Sequence, residues 1–427
     1  MIVLIVAVFI ISYTAVSLET YIHINKAATA LICGVLCWTI YMLFSKEKYL
    51  ITAQLNEHVA ESAGVLFFLL SAMTVVELID AHGGFDIITR KINQTDQRSL
   101  VWTVSLIAFF LSPVLDNLTA SIVMVSLLRK LIDDPRQRLV YAGMVIIAVN
   151  AGGVWSPMGD VTTTMLWIGN QVSAQSLVLR LLLPSFTCLL VPLVICTARM
   201  KGTVRRPDDG RKTSPIQFQK NQYLILIAGV LVLVSVPLFK MLTGLPPFMG
   251  ILLGLGVLWI ITEVVQRNGE PDQELTLASA LQRIDSPSIL FFLGILLSIG
   301  ALEATGILHH IAGWLEAKVG NESAIATLIG LSSSVVDNVP LVAASQSMYS
   351  LERFPTDHPF WMLLTYTTGT GGSILLIGSA AGVAAMGMED IHFLWYLKKI
   401  APLALIGFLA GILMYFLQES ILSLLTF

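Results

Sequence analysis

Long apolar runs separated by short polar segments dominate this sequence. Several of these runs approach the ~20 apolar residues that a helix needs to cross ~30 Å of hydrocarbon. They fall into two series of six, and a polar, basic segment at 199–221 separates the two series. The pattern predicts an all-α polytopic membrane protein with apolar spans at 2–18, 27–44, 62–80, 99–130, 139–170 and 177–198, and at 222–241, 245–266, 287–305, 323–350, 360–386 and 394–418.

The two series resemble each other position by position. The pair Asp116 and Asn117 recurs 221 positions later as Asp337 and Asn338. Other matches lie at nearly the same offset: Gly152-Gly153 with Gly371-Gly372, Gly159 with Gly378, Asp160 with Ser379, and Asp80 with Glu303. Such regular spacing indicates an internal duplication. It predicts a first repeat at 1–198, a linker at 199–221 and a second repeat at 222–427.

One segment in each repeat is too long and too irregular for a single crossing helix. In 99–130, Pro113 and the Asp-Asn pair lie near the centre, where proline breaks helices and Asp or Asn favours turns. Two arms of ~14 residues would reach ~21 Å, which enters a bilayer without crossing it. We therefore predict a re-entrant hairpin at 99–130 and an equivalent hairpin at 323–350, where Pro340 follows the second Asp-Asn pair.

Each repeat also contains an interrupted helix, at 139–170 and at 360–386. Glycine and proline cluster at 152–159 in the first, and glycines recur at 369–378 in the second, so neither segment can form a regular helix. Irregular backbone at this depth is tolerated only where it is buried in protein or lines a cavity. Together with the scaffold helices in 1–80 and 222–305, each half has five crossings and one hairpin. Five is odd, which predicts two inverted repeats with the interrupted helices at the midplane.

The distribution of Lys and Arg predicts the orientation. With the N- and C-termini outside, 19 of the 25 basic residues fall on the cytoplasmic side, as the positive-inside rule requires. This orientation puts the first hairpin on the cytoplasmic side and the second on the outer side. The six basic residues predicted outside are Lys46, Lys48, Arg180, Lys240, Lys318 and Arg353.

Composition agrees with this class, since 12% of residues are charged against about 25% in soluble domains. Aspartates are interleaved with the basic residues of the linker, so we predict a cytoplasmic loop and no nucleic-acid partner. The four cysteines lie in apolar runs and are expected to be buried thiols. The first run has no basic n-region, which favours a retained helix over a signal peptide. Mixed apolar and charged residues at 84–98 and 307–318 predict interfacial helices.

Three carboxylates at the predicted breaks, Asp116, Asp160 and Asp337, suggest the chemistry. A carboxylate deep in hydrocarbon costs about 2.5–3.5 kcal/mol on insertion scales and usually marks function. Helix capping is the structural alternative, and it is compatible with a cation site. Further oxygen-bearing side chains surround the three acids and would suit a hard cation such as Na⁺: Asn117, Thr119, Asn150, Ser156, Thr162, Thr163, Ser333, Asn338, Ser373 and Ser379. No cofactor is expected.

Clustered acids in a low-dielectric site cannot all stay ionised, so H⁺ and Na⁺ would compete for one carboxylate set. That competition is sufficient for exchange. Because Asp160 has only Ser379 as its counterpart, we expect Na⁺ near hairpin 1 and the break at 150–163, with the second hairpin closing the site from outside. The predicted Na⁺ ligands are Asp116, Asn117, Asn150 and Asp160, and a proton path is predicted at Asp80 and Glu303.

The segments 115–119, 336–340 and 150–164 resemble those of the NhaD-type sodium/proton antiporters, of the ion transporter superfamily, and the similarity covers nearly the whole chain. The resemblance implies a bacterial inner-membrane antiporter that exports Na⁺, often also Li⁺, at alkaline pH, and that forms a homodimer with a scaffold part and a moving part. The positions that match the ion-site motif are Asp116, Asn117, Asn150, Asp160, Thr162, Thr163, Asp337 and Asn338, with Ser333 and Ser373 beside them.

Two other transport functions occur in the same superfamily. A sodium-coupled carrier of dicarboxylate- or citrate-like anions needs helix N-termini free to hold carboxylates, and aspartates at both hairpin tips would repel such a substrate. An arsenite permease would not need Na⁺-dependent proton movement. An enzyme is not expected, since no nucleophile–base constellation supports one. Proton movement in response to Na⁺, Li⁺, K⁺ or citrate separates these alternatives.

Overall fold

The computed structural model describes residues 1–17, 19–22, 24–84, 92, 94–206, 219–267, 276–375 and 378–425. Within these ranges the chain is helical, apart from turns and an isolated bridge between Asp96 and Thr203. The helices of the first half are Ile2–Ser17, Glu19–Ile22, Lys26–Phe44, Lys48–Ala81, Gln97–Leu115, Asn117–Leu131, Pro135–Gly153, Val161–Ile168 and Ala174–Arg199. Those of the second half are Gln219–Thr243, Pro247–Arg267, Leu277–Arg283, Ser286–Ala304, Ile307–Val319, Glu322–Ser332, Asn338–Met348, Pro359–Gly371, Ala380–Glu389, Phe393–Lys399 and Ala401–Leu425.

Among the described residues, eight helices are long and apolar enough to cross a membrane, so the chain is a multi-pass membrane protein. The predicted span 62–80 is the second part of a longer helix, Lys48–Ala81, because the polar residues at 53–61 hide its first turns from a hydropathy pattern. The predicted span 394–418 is divided between Phe393–Lys399 and Ala401–Leu425.

Two predicted segments fall largely outside the described residues. The linker 199–221 is described only up to residue 206 and again from 219. In the predicted interfacial helix 84–98, residues 85–91 and 93 are not described. Its counterpart at 307–318 is the helix Ile307–Val319.

Both predicted hairpin segments consist of two helices separated by a break. Hairpin 1 is Gln97–Leu115 and Asn117–Leu131, divided at Asp116. Hairpin 2 is Glu322–Ser332 and Asn338–Met348. The arms of hairpin 1 have 19 and 15 residues and those of hairpin 2 have 11 each, against the ~14 predicted from the spacing. The first arm is longer because Pro113 lies in the last turn of the helix without ending it.

The two interrupted helices form the centre of the core. Broken helix 1 is Pro135–Gly153 followed by Val161–Ile168, and broken helix 2 is Pro359–Gly371 followed by Ala380–Glu389. Every residue at 141–153 and at 360–371 is buried. Residues with such complete burial on all sides of a helix are enclosed by other helices and not by lipid.

The same close backbone contact occurs in both breaks. A Cβ atom on Gly153 would collide with the carbonyl oxygen of Gly159, and one on Gly372 would lie 2.8 Å from that of Gly378. Each broken helix is also joined to its hairpin by a serine hydroxyl. Ser112 Oγ donates to the carbonyl of Val149 at 2.6 Å. In the second half, Ser333 Oγ donates to the carbonyl of Thr368 at 2.8 Å.

Basic residues gather at one end of the helices, which we call the basic face. Arg98 Nε donates to the carbonyl of Met200 at 2.7 Å, which joins the start of hairpin 1 to the end of helix Ala174–Arg199. Arg129 and Arg138 both bind Glu389, at 2.6 and 2.8 Å, and join the end of hairpin 1 to the start of broken helix 1 and the end of broken helix 2.

Three of the basic residues that we predict outside gather at the other end, which we call the opposite face. Lys240 Nζ donates to Asn170 Oδ1 at 3.0 Å, and Arg180 donates to the carbonyl of Asp357 at 2.9 Å. Arg353 pairs with Glu316 at 2.8 Å. The two faces are far apart, since the 26-residue helix Ala174–Arg199 spans ~39 Å between them.

Candidate functional site

Asp116 forms the break between the arms of hairpin 1. Its backbone lies at φ 72° and ψ 160°, a region that costs a non-glycine residue of order 1–3 kcal/mol. Its carboxylate accepts the backbone N–H and the hydroxyl of Thr119, both at 2.9 Å, and so caps the second arm. The hydroxyl of Thr119 is therefore directed at Asp116.

Asp160 is the most enclosed carboxylate of the predicted set, with 2% of its surface exposed. It caps Val161–Ile168 by accepting the N–H of Thr162 at 3.1 Å. Its other oxygen accepts the side-chain amides of Asn117 in hairpin 1, at 3.0 Å, and of Asn338 in hairpin 2, at 3.3 Å. All of these donors are neutral, and no ion pair to Asp160 is found within the described residues.

Asn150 connects the same carboxylate cluster to the second half of the chain. It is fully buried and accepts the amide of Asn117 at 3.0 Å. Its own amide donates to the hydroxyls of Ser373 and Ser379, both at 2.9 Å. Asp160 and Asn150 therefore link both hairpins and both broken helices in one hydrogen-bonded cluster, which we call the candidate ion site.

Four helix N-termini in this region are capped by side chains of the predicted site. Asp116 caps Asn117–Leu131, Asp160 caps Val161–Ile168, Asp337 caps Asn338–Met348, and Ser379 caps Ala380–Glu389. Each N-terminus carries a partial positive charge of about one half. Three of the four are thus met by a carboxylate of the protein itself.

Asp337 differs from the other two acids because it has a cationic partner. Lys26 Nζ lies 3.5 Å from its Oδ2, and the two side chains are 21% and 17% exposed. The same ammonium group lies 4.5 Å from the centre of the Phe291 ring. The sequence assigned Lys26 only to the cytoplasmic basic residues, since nothing local indicates a partner 311 positions away.

Two of the predicted ligand hydroxyls hold the backbone instead of facing the cluster. Ser156 Oγ donates to the carbonyl of Pro113 at 2.9 Å, and Ser333 Oγ donates to that of Thr368 at 2.8 Å. Both join a hairpin to a broken helix. The hydroxyl of Thr163 is buried and has no hydrogen-bond partner in the described part of the chain. An unpartnered oxygen three residues from Asp160 remains available to a ligand.

One cavity borders the candidate ion site, and a second lies between the far end of Val161–Ile168 and the opposite face. The smaller, of ≈ 50 Å³, is lined by Asp116 and Asn117 together with apolar side chains such as Phe292. The larger, of ≈ 460 Å³, is lined by Glu303, Glu61 and further residues, and it includes Asn170 at the opposite face. Asp80, the other predicted proton-path residue, is exposed and does not line either cavity.

Glu61 and its neighbour His58 were not predicted as functional residues. His58 Nδ1 lies 3.7 Å from Glu61, and both line the larger cavity with Glu303. They precede the predicted span 62–80, so the hydropathy pattern assigned them to a loop. Their spacing of three residues, typical of one helix face, was the available signal.

Replacing Gly369 by alanine is expected to destabilise the site. A Cβ there would overlap the side chain of Val154 and lie 3.5 Å from Asp160 Oδ2. Overpacking of this kind costs about 1–3 kcal/mol, so the melting temperature of the purified protein should fall. Gly387→Ala in the same broken helix is the matched control, because open space surrounds that position and alanine favours helix. Equal melting temperatures for the two variants would contradict this packing.

Comparison with known proteins gives consistent similarities. A family model described as "Citrate transporter" matches residues 1–352. "Sodium/proton antiporter 1" of Arabidopsis thaliana is 46% identical over 412 residues, which cover 95% of this chain and 71% of the relative. "Na(+)/H(+) antiporter NhaD" of Vibrio cholerae is 31% identical over 444 residues, 96% of this chain and 90% of the relative. The protein of that name from Alkalimonas amylolytica is 28% identical over 442 residues, 95% of this chain and 88% of the relative.

Proposed function

Since the chain belongs to the NhaD-type sodium/proton antiporters, within the citrate transporter family, we propose that it exchanges Na⁺ for H⁺ across a membrane. The exchange takes place at the candidate ion site, where Asp160, Asp116, Asn117 and Asn150 hold the cation. The relatives named above are antiporters, and this chain is a transporter and not an enzyme.

The environment of Asp160 carries the proposal. A buried carboxylate is stable only if it is paired with a cation, coordinates a metal or takes up a proton. Asp160 is 2% exposed, and only neutral groups donate to it among the described residues. It therefore requires either Na⁺ or H⁺, and occupation by one excludes the other. Asp116 and Asp337 lie within electrostatic range and strengthen that requirement.

The oxygen atoms around Asp160 suit Na⁺. Asn150 Oδ1 accepts from the same Asn117 amide as Asp160, and we propose that the Asp116 carboxylate and the Thr163 hydroxyl complete the set of oxygens that hard cations prefer. The amides of Asn117 and Asn338 hold Asp160 from both hairpins. Movement of either hairpin would therefore change the ligand set and release the ion.

The capped helix N-termini favour a cation over an organic anion. A citrate- or dicarboxylate-like substrate needs free N-terminal N–H groups to bind its carboxylates. In this chain Asp116, Asp160 and Asp337 already accept those N–H groups, and their charges repel an anion. We therefore disfavour the carboxylate carriers of this family as a model for this chain, and an arsenite permease has no observation in its favour.

The contacts at the two faces support inverted repeats. Broken helix 1 starts near Arg138 at the basic face and ends near Asn170 at the opposite face. Broken helix 2 starts next to Asp357 at the opposite face and ends at Glu389 on the basic face. The two helices therefore run in opposite directions, as the odd number of crossings requires.

The same contacts support re-entrant hairpins. Hairpin 1 begins at Arg98 and ends at Arg129, and both residues lie at the basic face. Hairpin 2 begins after Glu316 and ends before Arg353, and these two residues form an ion pair at the opposite face. Each hairpin thus returns to the face where it began, so we propose that each enters the bilayer from one side only.

Orientation and route follow from the basic face. The positive-inside rule makes it cytoplasmic, so the cavity of ≈ 460 Å³ would face outside, with Glu61 and Glu303 on the path of external protons. Na⁺ would reach the site from the cytoplasm along hairpin 1, and hairpin 2 would close the site from outside. Transport of Li⁺ and the homodimer remain predictions from the resemblance. The bacterial inner membrane also remains a prediction, since similar proteins come from a plant as well as from bacteria.

Everted membrane vesicles from an antiporter-deficient bacterial host test the function directly. With a respiration-driven pH gradient, added Na⁺ or Li⁺ should dissipate the gradient because protons leave the lumen as the ion enters. K⁺ and citrate should have little effect, and the half-effective Na⁺ concentration should fall as pH rises, since fewer protons then compete for the carboxylates. Dissipation by citrate, or none by Na⁺ at any pH, would overturn the proposal.

A further inference from the structure

A third cavity lies at the basic face, away from the candidate ion site. Its volume is ≈ 800 Å³, larger than the other two cavities. It opens between the start of broken helix 1, the end of helix Ala174–Arg199 and the start of helix Ala401–Leu425. Neither hairpin tip lines it, so ion transport does not account for it.

Four cations from three separate segments of the chain line this cavity: Arg136, Lys201, Lys398 and Lys399. The lining contains no Asp or Glu among the described residues. None of the four is in an ion pair within that part of the chain. Nearby Arg129 and Arg138 behave differently, since both bind Glu389. Four like charges around one cavity repel each other and create a strong positive potential for an anion.

Beside Gln97 and Gln137, the rest of the lining is mainly apolar. Leu403 and Ile406 lie in the first turns of Ala401–Leu425, a helix long and apolar enough to cross a membrane. Lys201, Lys398 and Lys399 lie just outside the ends of the long helices, and Arg136 lies in the first turn of broken helix 1, at the level expected for lipid headgroups. Basic pockets between membrane helices on the cytoplasmic side are the known form of site for anionic headgroups.

From this arrangement we propose that the cavity binds the headgroup of an anionic phospholipid from the surrounding leaflet. The phosphate interacts with Lys398, Lys399, Arg136 and Lys201, and the acyl chains follow the apolar wall at Leu403 and Ile406. A soluble phosphate would use only the cationic half of the cavity, whereas a lipid uses both halves. The volume is within the usual range for a bound small molecule, about 300–1,000 Å³.

Native mass spectrometry of the detergent-solubilised full chain tests the proposal with three probes: phosphatidylglycerol, phosphatidylcholine and glycerol 3-phosphate. We expect phosphatidylglycerol to bind well above the other two. In Lys398→Gln/Lys399→Gln its affinity should fall about 30-fold, because each Lys or Arg near an anionic membrane surface contributes about a factor of five. Lys398→Arg/Lys399→Arg should retain binding, which separates loss of charge from loss of folding.

Lys46→Gln/Lys48→Gln is the matched control, since it also removes two exposed, nearly adjacent charges but lies outside the cavity. This control should bind phosphatidylglycerol as the unmodified chain does. The proposal is overturned if the control loses as much affinity as the cavity variant, or if phosphatidylcholine binds as well as phosphatidylglycerol. Equal binding of glycerol 3-phosphate would also overturn it, because the occupant would then be a free phosphate compound.

Discussion

Asp160→Asn should abolish Na⁺-dependent dissipation of the pH gradient while leaving the fold intact. Asparagine has nearly the same shape as aspartate and its one oxygen can still cap Val161–Ile168, although its NH₂ group cannot accept the amides of Asn117 and Asn338. It cannot carry the negative charge that Na⁺ and H⁺ share. Loss of a charged ligand should weaken Na⁺ binding by about 3 kcal/mol, so the exchange rate should fall more than about 100-fold. Initial rates in everted vesicles, normalised to the amount of protein, measure this change.

Asp133→Asn is the control for this variant, because Asp133 is exposed in the short segment between hairpin 1 and broken helix 1. It should transport Na⁺ at the normal rate. Both proteins should elute as single peaks on size-exclusion chromatography with similar helical content. Normal exchange by a well-folded Asp160→Asn protein would show that the cation binds elsewhere.

The second large effect is expected from Lys26→Gln, which leaves Asp337 without its cation. The side chains are about one fifth exposed, so the pair is intermediate between surface and buried pairs, and its loss should cost about 2 kcal/mol of stability. The variant leaves the Asp337 carboxylate without a counter-charge, so removing that carboxylate as well should restore part of the lost stability. Exchange should fall up to about 30-fold, since about 2 kcal/mol corresponds to that factor.

Lys26→Gln/Asp337→Asn separates the ion pair from simple packing. It removes both charges, so its melting temperature should lie closer to that of the unmodified chain than the melting temperature of Lys26→Gln does. Arg353→Gln breaks an ion pair of exposed side chains at the opposite face and should have little effect on melting or exchange. An equal loss of stability in Lys26→Gln and in the double variant would contradict the role of Lys26 as the counter-charge of Asp337.

Most of the candidate site was predictable because its signals are local. An Asp-Asn pair in an apolar run favours a break in the helix wherever it occurs. Glycine and proline within eight residues, as at 152–159, have the same effect. Of the predicted positions, Asn117, Asn150 and Asp160 lie in one hydrogen-bonded cluster, since Asn117 binds both of the others, whereas Asp116 binds Thr119 within its own hairpin. Helix lengths were less predictable, because packing against neighbours decided whether the polar turns at 53–61 stayed helical.

The partners of the site residues came only from the tertiary structure. The sequence placed Ser333 and Ser156 among the ligands, whereas their hydroxyls hold backbone carbonyls of neighbouring segments. It assigned Lys26 only to the cytoplasmic basic residues and left Glu61 outside any span. The contacts of Ser156, Ser333 and Lys26 join segments that are far apart in the chain, and the position of Glu61 depends on which face of its helix packs against other helices.

The sequence by itself determined the membrane class and the positions of the four helix breaks, because apolar length and Gly, Pro or Asp-Asn breaks act over a few neighbouring residues, and its repetition predicts two related halves. Only the tertiary structure decided which carboxylate is enclosed by neutral donors and which one has a lysine. Asp160 and Asp337 both lie at breaks in apolar segments, and they differ because three-dimensional packing brings Asn117 and Asn338 to the first and Lys26 to the second.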